Sequence, residues 1–278
     1  MSPSVSVIIP TYNRADFLQE ALDSVQAQTL APLEVIVVDD GSTDGTLDAL
    51  MASELPHLHI LSQERRGPAA ARNLALDAVR GDYVAFLDSD DLWLPEKLRV
   101  QADFMEANPE IRFCQTEELW IRRGVRVNPM KKHAKPSGWI FAACLPFCVV
   151  SPSAVMMERK FLLELGGFDP AFPVCEDYEL WLRASLKSPF RTLDQALTVK
   201  RGGHEDQLSR AEWGMDRFRV QALEKLLSGS ELDPEHRRQA EAELLRKLKI
   251  LSKGFAKRYP DGHDPYEEKI KCLEISSR

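Results

Sequence analysis

Three carboxylates fall within four residues at Asp88-Ser89-Asp90-Asp91, directly after the apolar run Tyr83-Val84-Ala85-Phe86-Leu87. Like charges this close repel unless something stabilises their ionised forms. Asp88 and Asp90 stand two apart on extended backbone, so both side chains can face the same way. A divalent cation held between them and a second anionic ligand would relieve the repulsion. Oxygen-only ligands suit Mg²⁺ or Mn²⁺, and Mg²⁺ takes few carboxylates plus phosphate oxygens. Asp91 is expected to cap the helix that starts at Pro95. No GxGxxG or GxxxxGK[ST] occurs, so no glycine-rich loop can hold phosphate and a metal has to do that work. A second acidic pair, Glu176-Asp177, opens the helical pattern Tyr178–Leu186, where the helix dipole favours acids.

The elements that must position these groups follow from periodicity. Val5–Ile9, Val35–Val38, Leu58–Leu61 and Tyr83–Leu87 read as continuous apolar strands. Helices are expected over Phe17–Gln28, from a Thr43-Asp44 cap through Leu47, Leu50 and Met51, from Gly67-Pro68 through Val79, and from Pro95. Such alternation predicts a parallel sheet covered on both faces. From about 110 to 205 prolines break the pattern into short strands and loops around the one helix Tyr178–Leu186. After about 211 the chain reads as helical to Lys257, with a turn near "SGSELDP". The expected layout is an α/β domain over 1–210, with a nucleotide-binding half (1–110) and an acceptor and catalytic half (111–210), followed by a helical extension over 211–278.

Ligands of open parallel sheets bind outside the carboxyl ends of the strands. Strand one ends in Thr11-Tyr12-Asn13-Arg14 and strand two in Asp39-Asp40-Gly41-Ser42. Strand three leads into "SQERRGPAAARN", which carries Arg72, and strand four into the aspartate run. Each loop alone has a plain structural explanation. Turn and capping roles account for one aspartate at 39–40 but not two side by side, and Arg72 in a first helical turn opposes the dipole. Four polar loops along one sheet edge point to a bound ligand.

Composition removes several function classes. The 278 residues carry a formal net charge of −7, which argues against a nucleic-acid partner. No apolar run approaches the ~20 residues that cross a bilayer. The start "MSPSVSVIIPTYNR" lacks the pattern of a signal peptide. The five cysteines show no CxxC spacing, and Cys144 and Cys148 in "FAACLPFCVV" suit reduced core thiols. A cytoplasmic protein is expected.

In order and spacing, the segments "VSVIIPTYNR", "VIVVDDGSTDGT", "GPAAARNLAL", "YVAFLDSDD", "GGFD" and "CEDYELWLR" resemble the family 2 glycosyltransferases, enzymes of GT-A fold, over roughly residues 4–210. The resemblance implies a metal-dependent transferase that moves one sugar from a nucleotide-diphosphate sugar, most commonly a UDP-sugar, to a hydroxyl of a saccharide or lipid-linked acceptor in cell-envelope polysaccharide synthesis. It implies that Thr11, Tyr12 and Arg14 border the nucleoside and that Asp39 or Asp40 bonds the base or ribose. Arg72 would lie near the diphosphate or sugar. Asp88-Ser89-Asp90 would be the DxD motif, Asp90 the direct metal ligand and Asp88 facing ribose or metal. Asp177, with Glu176 as the alternative, would be the general base of an inverting reaction. His204 would help hold the diphosphate or metal, with Arg201 and Gln207 as weaker candidates in the same loop.

One departure narrows the reading. Processive synthases carry QxxRW and membrane spans, whereas here Gln207-Leu208-Ser209-Arg210 is followed by Ala211. Single transfer to a discrete acceptor is expected, with acceptor choice in the region 112–165. The alternatives are a nucleotide-sugar-binding protein without catalysis, a two-acid glycoside hydrolase and a nucleotidyltransferase. In the helical extension, Leu244, Leu248, Leu251 and Phe255 form an apolar stripe flanked by Arg246, Lys247, Lys249, Lys253 and Lys257. That stripe is expected to pack on the catalytic domain or a second subunit; the other reading is peripheral contact with the inner membrane face. Lys131, Lys132, His133 and Lys135 read as a solvated basic loop; the other reading places them near the acceptor.

Overall fold

The computed structural model describes residues 3–128, 134–203, 214–229, 232–260 and 262–276. Four strands, β1 (Val5–Thr11), β2 (Glu34–Asp39), β3 (Leu58–Ser62) and β4 (Tyr83–Phe86), pair in parallel in the order β3-β2-β1-β4. Their side chains alternate between the faces with the strand period. Ile8, Ile36, Val38, Val84 and Phe86 enter one core, and Val7, Ile9, Val35, Val37 and Ala85 the other. Both sets are fully buried, which explains why the strands read as unbroken apolar runs. Helices α1 (Ala15–Gln26), α2 (Thr46–Met51), α3 (Pro68–Leu76) and α4 (Lys97–Ala107) connect and cover them.

Several boundaries shift by a residue or two, as in α1, expected over 17–28 and found over Ala15–Gln26, and two differences go further. Helix α3 ends at Leu76 rather than Val79, because Ala78 and Val79 donate to Ala75 and Leu76 in a tightened last turn. Asp91 does not cap a helix. Residues Leu92–Trp93 form a short strand, β5, and α4 begins only at Lys97.

The second half adds β6 (Phe113–Arg122), β7 (Val125–Val127), β8 (Val155–Glu158) and β9 (Phe190–Gly202). Strand β8 runs antiparallel between β4 and β6, β9 is parallel to β6, and β5 pairs antiparallel with β9. The sheet is therefore mixed beyond β4, with a register irregularity at Thr116/Glu117/Glu118 of the kind that re-aims side chains beside a site. Helices α5 (Phe141–Cys144), α6 (Arg159–Glu164) and α7 (Glu176–Ser185) complete this half.

Among the described residues three further helices follow: α8 (Asp216–Gly229), α9 (Pro234–Arg258) and α10 (Glu267–Ser276). The stripe Leu244, Leu248 and Leu251 is buried in the core that also holds Phe113, Phe161 and Trp181, so it faces the chain itself. Lys247, expected on the polar face, is also buried. Its ammonium donates to Pro146 O at 2.7 Å and lies 3.1 Å from Asp216. Among the described residues no helix is long and apolar enough to cross a membrane.

Candidate active site

The carboxyl ends of β1, β2 and β4 open onto a cavity of about 560 Å³, the volume class of a nucleotide-sized ligand. Thr11, Tyr12, Arg14, Asp40, Arg72 and the run Asp88–Asp91 line it, together with Glu176 and Asp177 from the start of α7. Loops separated by most of the chain thus converge, as the sheet-edge argument predicts. Asp39 is not on the wall; its carboxylate accepts from Ser42 N and shapes the turn behind it. Asp40 reaches the wall while accepting from Gln63 Nε2, Arg66 N and Gly67 N at 2.6–2.8 Å, which fixes the entry to α3. Thr11 Oγ1 is a buried polar atom without a hydrogen-bond partner. The Tyr12 ring lies 4.0 Å from the Arg65 guanidinium, whose Nη1 also donates to the phenol oxygen at 3.0 Å.

Arg72 joins the two acidic clusters. Its Nη2 donates to Asp88 Oδ1 at 2.8 Å and its Nη1 to Glu176 Oε1 at 2.7 Å, in a residue only 3% exposed. The neighbouring Asn73 fixes that placement: Asn73 Nδ2 donates to Phe168 O and Phe168 N donates back to Asn73 Oδ1. Gly167 packs against the same amide at φ +70°, a conformation suited to glycine. The "ARN" and "GGFD" segments therefore clamp each other and set the Phe168 ring 5.1 Å from the Arg72 guanidinium.

The aspartates divide their work. Burial would raise Asp88, but Arg72 and Lys200 outweigh it and hold the carboxyl below its ordinary range. Asp91 is pushed up to about 7, first by burial and then by its acidic neighbours, despite Lys200. It accepts from Ser153 Oγ at 2.6 Å and from Arg201 N at 2.8 Å, tying the run to β9. Lys200 lies 3.5 Å from Asp91 and donates to Ser151 Oγ at 2.9 Å. Burial opposes its charge, yet Asp91, Asp88 and Glu118 raise it well above an ordinary lysine.

Glu176 and Asp177 part company in the same way. Cys175, at φ +63°, turns the chain sharply into α7. Glu176 points inward, 5% exposed, and burial pushes it up to about 7 against the pull of Arg72. Asp177 is half-buried; its Oδ1 accepts from Tyr178 N at 2.7 Å and its Oδ2 from Cys148 Sγ at 3.2 Å.

A second cavity of about 300 Å³ adjoins the first and shares Pro152, Asp177, Lys200 and Arg201 with it. Its far wall carries Glu118, Trp120, Lys135 and Cys148. Lys135 is not solvated: its ammonium lies 3.0 Å from Glu118 Oε1, with both side chains nearly buried. Cys148, expected in the core, is half-buried on this wall. His204 and Gln207, like Lys131, Lys132 and His133, lie outside the described residues. Sequence reasoning missed Lys200, Arg65, Ser153 and Cys148. The first two stood as unremarked bases in "TVKRGG" and "QERRGP", and nothing in sequence marks Ser153 or Cys148.

Among the described residues no three His, Cys, Asp or Glu side chains form a cage for a metal ion. A Mg²⁺ or Mn²⁺ that takes one or two carboxylates plus phosphate oxygens needs no such cage. Asp88 and Asp90, hard oxygen donors on the wall of an open cavity, fit that mode.

Comparison with known proteins identifies the family. Residues 6–143 match the family described as glycosyl transferase family 2. The chain is 47% identical over 194 residues to the putative teichuronic acid biosynthesis glycosyltransferase TuaG of Bacillus subtilis, covering 68% of this chain and 74% of that one. It is 33% identical over 186 residues to the UDP-Glc:α-D-GlcNAc-diphosphoundecaprenol β-1,3-glucosyltransferase WfaP of Escherichia coli, covering 66% and 70%. An uncharacterized glycosyltransferase of Rickettsia felis is 28% identical over 75% of this chain, which spans about a third (35%) of that longer protein. In fold, the chain resembles S. aureus TarS 1-349 in complex with UDP-GlcNAc (TM-score 0.71, 23% identity, 93% of this chain and 74% of that one). It also resembles the mannosyltransferase PcManGT of Pyrobaculum calidifontis in complex with GDP-Man and Mn²⁺ (TM-score 0.68, 22% identity, 100% and 81%). The chain belongs to glycosyl transferase family 2 and has its GT-A fold.

Proposed function

We propose that the protein transfers a single sugar, with inversion, from a UDP-sugar to a hydroxyl of a saccharide or lipid-linked acceptor in cell-envelope polysaccharide synthesis. The observation that carries this reading is the position of Asp177, the one carboxylate among the described residues that lines both cavities. The larger cavity suits the donor, with Tyr12 and Arg65 offering flat surfaces for a base and Arg72, Lys200 and Arg201 supplying positive charge for the diphosphate. The smaller cavity suits the acceptor, whose hydroxyl would give its proton to Asp177 as its oxygen attacks the anomeric carbon. Glu176 is left as the partner of Arg72 rather than the base, because its carboxylate is already engaged and buried. A Mn²⁺ or Mg²⁺ on Asp90 and Asp88 would supply Lewis-acid stabilisation of the departing diphosphate. The names of WfaP and of the TarS complex favour a UDP-sugar, while that of PcManGT keeps GDP in view. A lipid-linked acceptor, as in the name of WfaP, would bring the protein to the inner membrane face.

Calorimetric titration of UDP with Mn²⁺, and then with EDTA, tests the donor half. Binding that EDTA abolishes is expected; failure of UDP, GDP and dTDP alike would refute the assignment. Asp177→Asn should bind UDP as the parent does while UDP-sugar turnover falls by roughly 10²–10⁴-fold. A parent protein that binds nucleotide but turns over no sugar in a donor and acceptor screen would instead favour a binding protein without catalysis.

A further inference from the structure

We propose that Cys148 is a positioning residue for Asp177: its thiol donates to the carboxylate and fixes the plane in which that group meets the acceptor. This rests on the reading of Asp177 as the base. Cys148 Sγ lies 3.2 Å from Asp177 Oδ2 and 2.9 Å from Val150 O, so its one proton is shared between two acceptors. At the other end of the carboxylate, Tyr178 N donates to Oδ1. Each oxygen thus receives one donor, and an ionised carboxylate has about four acceptor sites in all. Room remains for an incoming hydroxyl.

The backbone segment that carries the sulfur is pinned on both sides of Cys148. The Tyr178 hydroxyl donates to Leu145 O and Lys247 Nζ to Pro146 O, each at 2.7 Å. Gln115 Nε2 donates to Val149 O at 3.1 Å, and Ser151 N reaches back to Gln115 Oε1 at 3.3 Å. Helix α9, far along the chain from the chemistry, thereby holds the wall that presents the thiol.

The thiol is suited to donate rather than to react. Burial, followed by the Asp177 charge and the hydrogen bond to it, raises its pKa well above the ordinary value, so it keeps its proton where a reactive cysteine would lose it. The charged and titratable groups around the pair are Cys175 just before α7, Glu176 and Tyr178 on α7, Cys144 on α5, Lys200 and Arg201 on β9, and Arg219 on α8. Losing a donor to the charged form raises a carboxyl pKa.

The test compares Cys148→Ala, Cys148→Ser and Asp177→Asn in UDP release from UDP-glucose and UDP-GlcNAc across pH, with UDP affinity measured in parallel. Cys148→Ala should lower kcat by about 2- to 10-fold, the worth of one hydrogen bond. Its acid limb should move to higher pH while UDP affinity is unchanged. Cys148→Ser, which keeps a donor of similar size, should restore both. Infrared spectra supply a readout independent of substrate: the S–H band lost in Cys148→Ala should shift in Asp177→Asn. Parent-like kcat and acid limb in Cys148→Ala would overturn the proposal, as would an equal defect in Cys148→Ser or an S–H band indifferent to Asp177. Full turnover by Asp177→Asn would instead remove the base on which the proposal depends.

Discussion

Lys97 offers a perturbation whose size can be worked through. Its side chain is fully buried at the start of α4, where Nζ donates to Gln101 Oε1 at 2.6 Å and sits 4.1 Å over the Trp93 ring. Burial lowers its pKa from 10.5 to about 7, with Cys114 pulling weakly the other way. A lysine depressed on folding leaves the unfolded chain holding more protons between about pH 7 and 10.5, so stability rises with pH across that window. The 3.5-unit difference (10.5 − 7) amounts to about 5 kcal/mol at about 1.4 kcal/mol per unit. Cation–π attraction to Trp93 returns about 2 kcal/mol and the Gln101 hydrogen bond about 1 kcal/mol. Lys97→Met should therefore stabilise the protein by about 2 kcal/mol near pH 7, an advantage that fades to nearly nothing by about pH 9. Urea unfolding of parent and variant at several pH values checks this, because the difference cancels every other titrating group. Parallel curves with a constant offset, or a variant less stable near pH 7, would refute the reasoning. The residue matters to the site because Trp93 donates through its indole to Ser153 O, and Ser153 in turn holds Asp88 and Asp91.

Arg72→Met should cost about 3–5 kcal/mol in urea unfolding, because it removes the cation that Asp88 and the buried Glu176 share; a loss below about 1 kcal/mol would show that the bridge is dispensable. The same variant should weaken UDP binding, read by calorimetry. Glu34 is buried, yet hydrogen bonds from Ser6 and Arg80 outweigh that burial and lower its pKa. Its contribution is therefore present above the unfolded value of about 4.5 and lost as pH falls through the lower folded value. Glu34→Gln should cost about 2 kcal/mol at neutral pH and progressively less in acid; a pH-independent cost would contradict this.

What the sequence made legible, and what it hid, has a physical pattern. Strands β1, β2 and β4 could be read because both faces of the sheet are covered there, so apolar residues fill most positions and no register need be known. The polar ends Thr11, Asp40 and Asp88 followed from topology alone, since parallel strands deliver their carboxyl ends to one edge. Strand β9 was unreadable: Arg191, Asp194 and Gln195 interrupt its 13 residues, and its pairing with β6 and β5 supplies what its own pattern lacks. Lys200 belongs to that hidden strand. Its importance arises only when β9 lies beside β5, which brings it to Asp91 from 109 residues away (200 − 91). Asp39 and Asp40 looked equivalent as text, but successive side chains on a strand diverge, and only the second reaches the cavity.

The crowding of acids at 88–91 is eased by the protein's own cations. Arg72 neutralises Asp88 from the side of α3, and Lys200 lies against Asp91 from the side of β9. These cations come from elements on opposite flanks of the loop, so the loop's conformation depends on both halves of the sheet having docked. That dependence couples assembly to chemistry. The same Arg72 that steadies Asp88 also holds Glu176, and beyond the turn at Cys175 Asp177 is the acid of that pair facing the second cavity. One buried guanidinium thus engages one carboxylate of each motif, while Asp90 and Asp177 line the same cavity. A chain carrying both acidic motifs without that arginine would possess the signature and lack the division of labour.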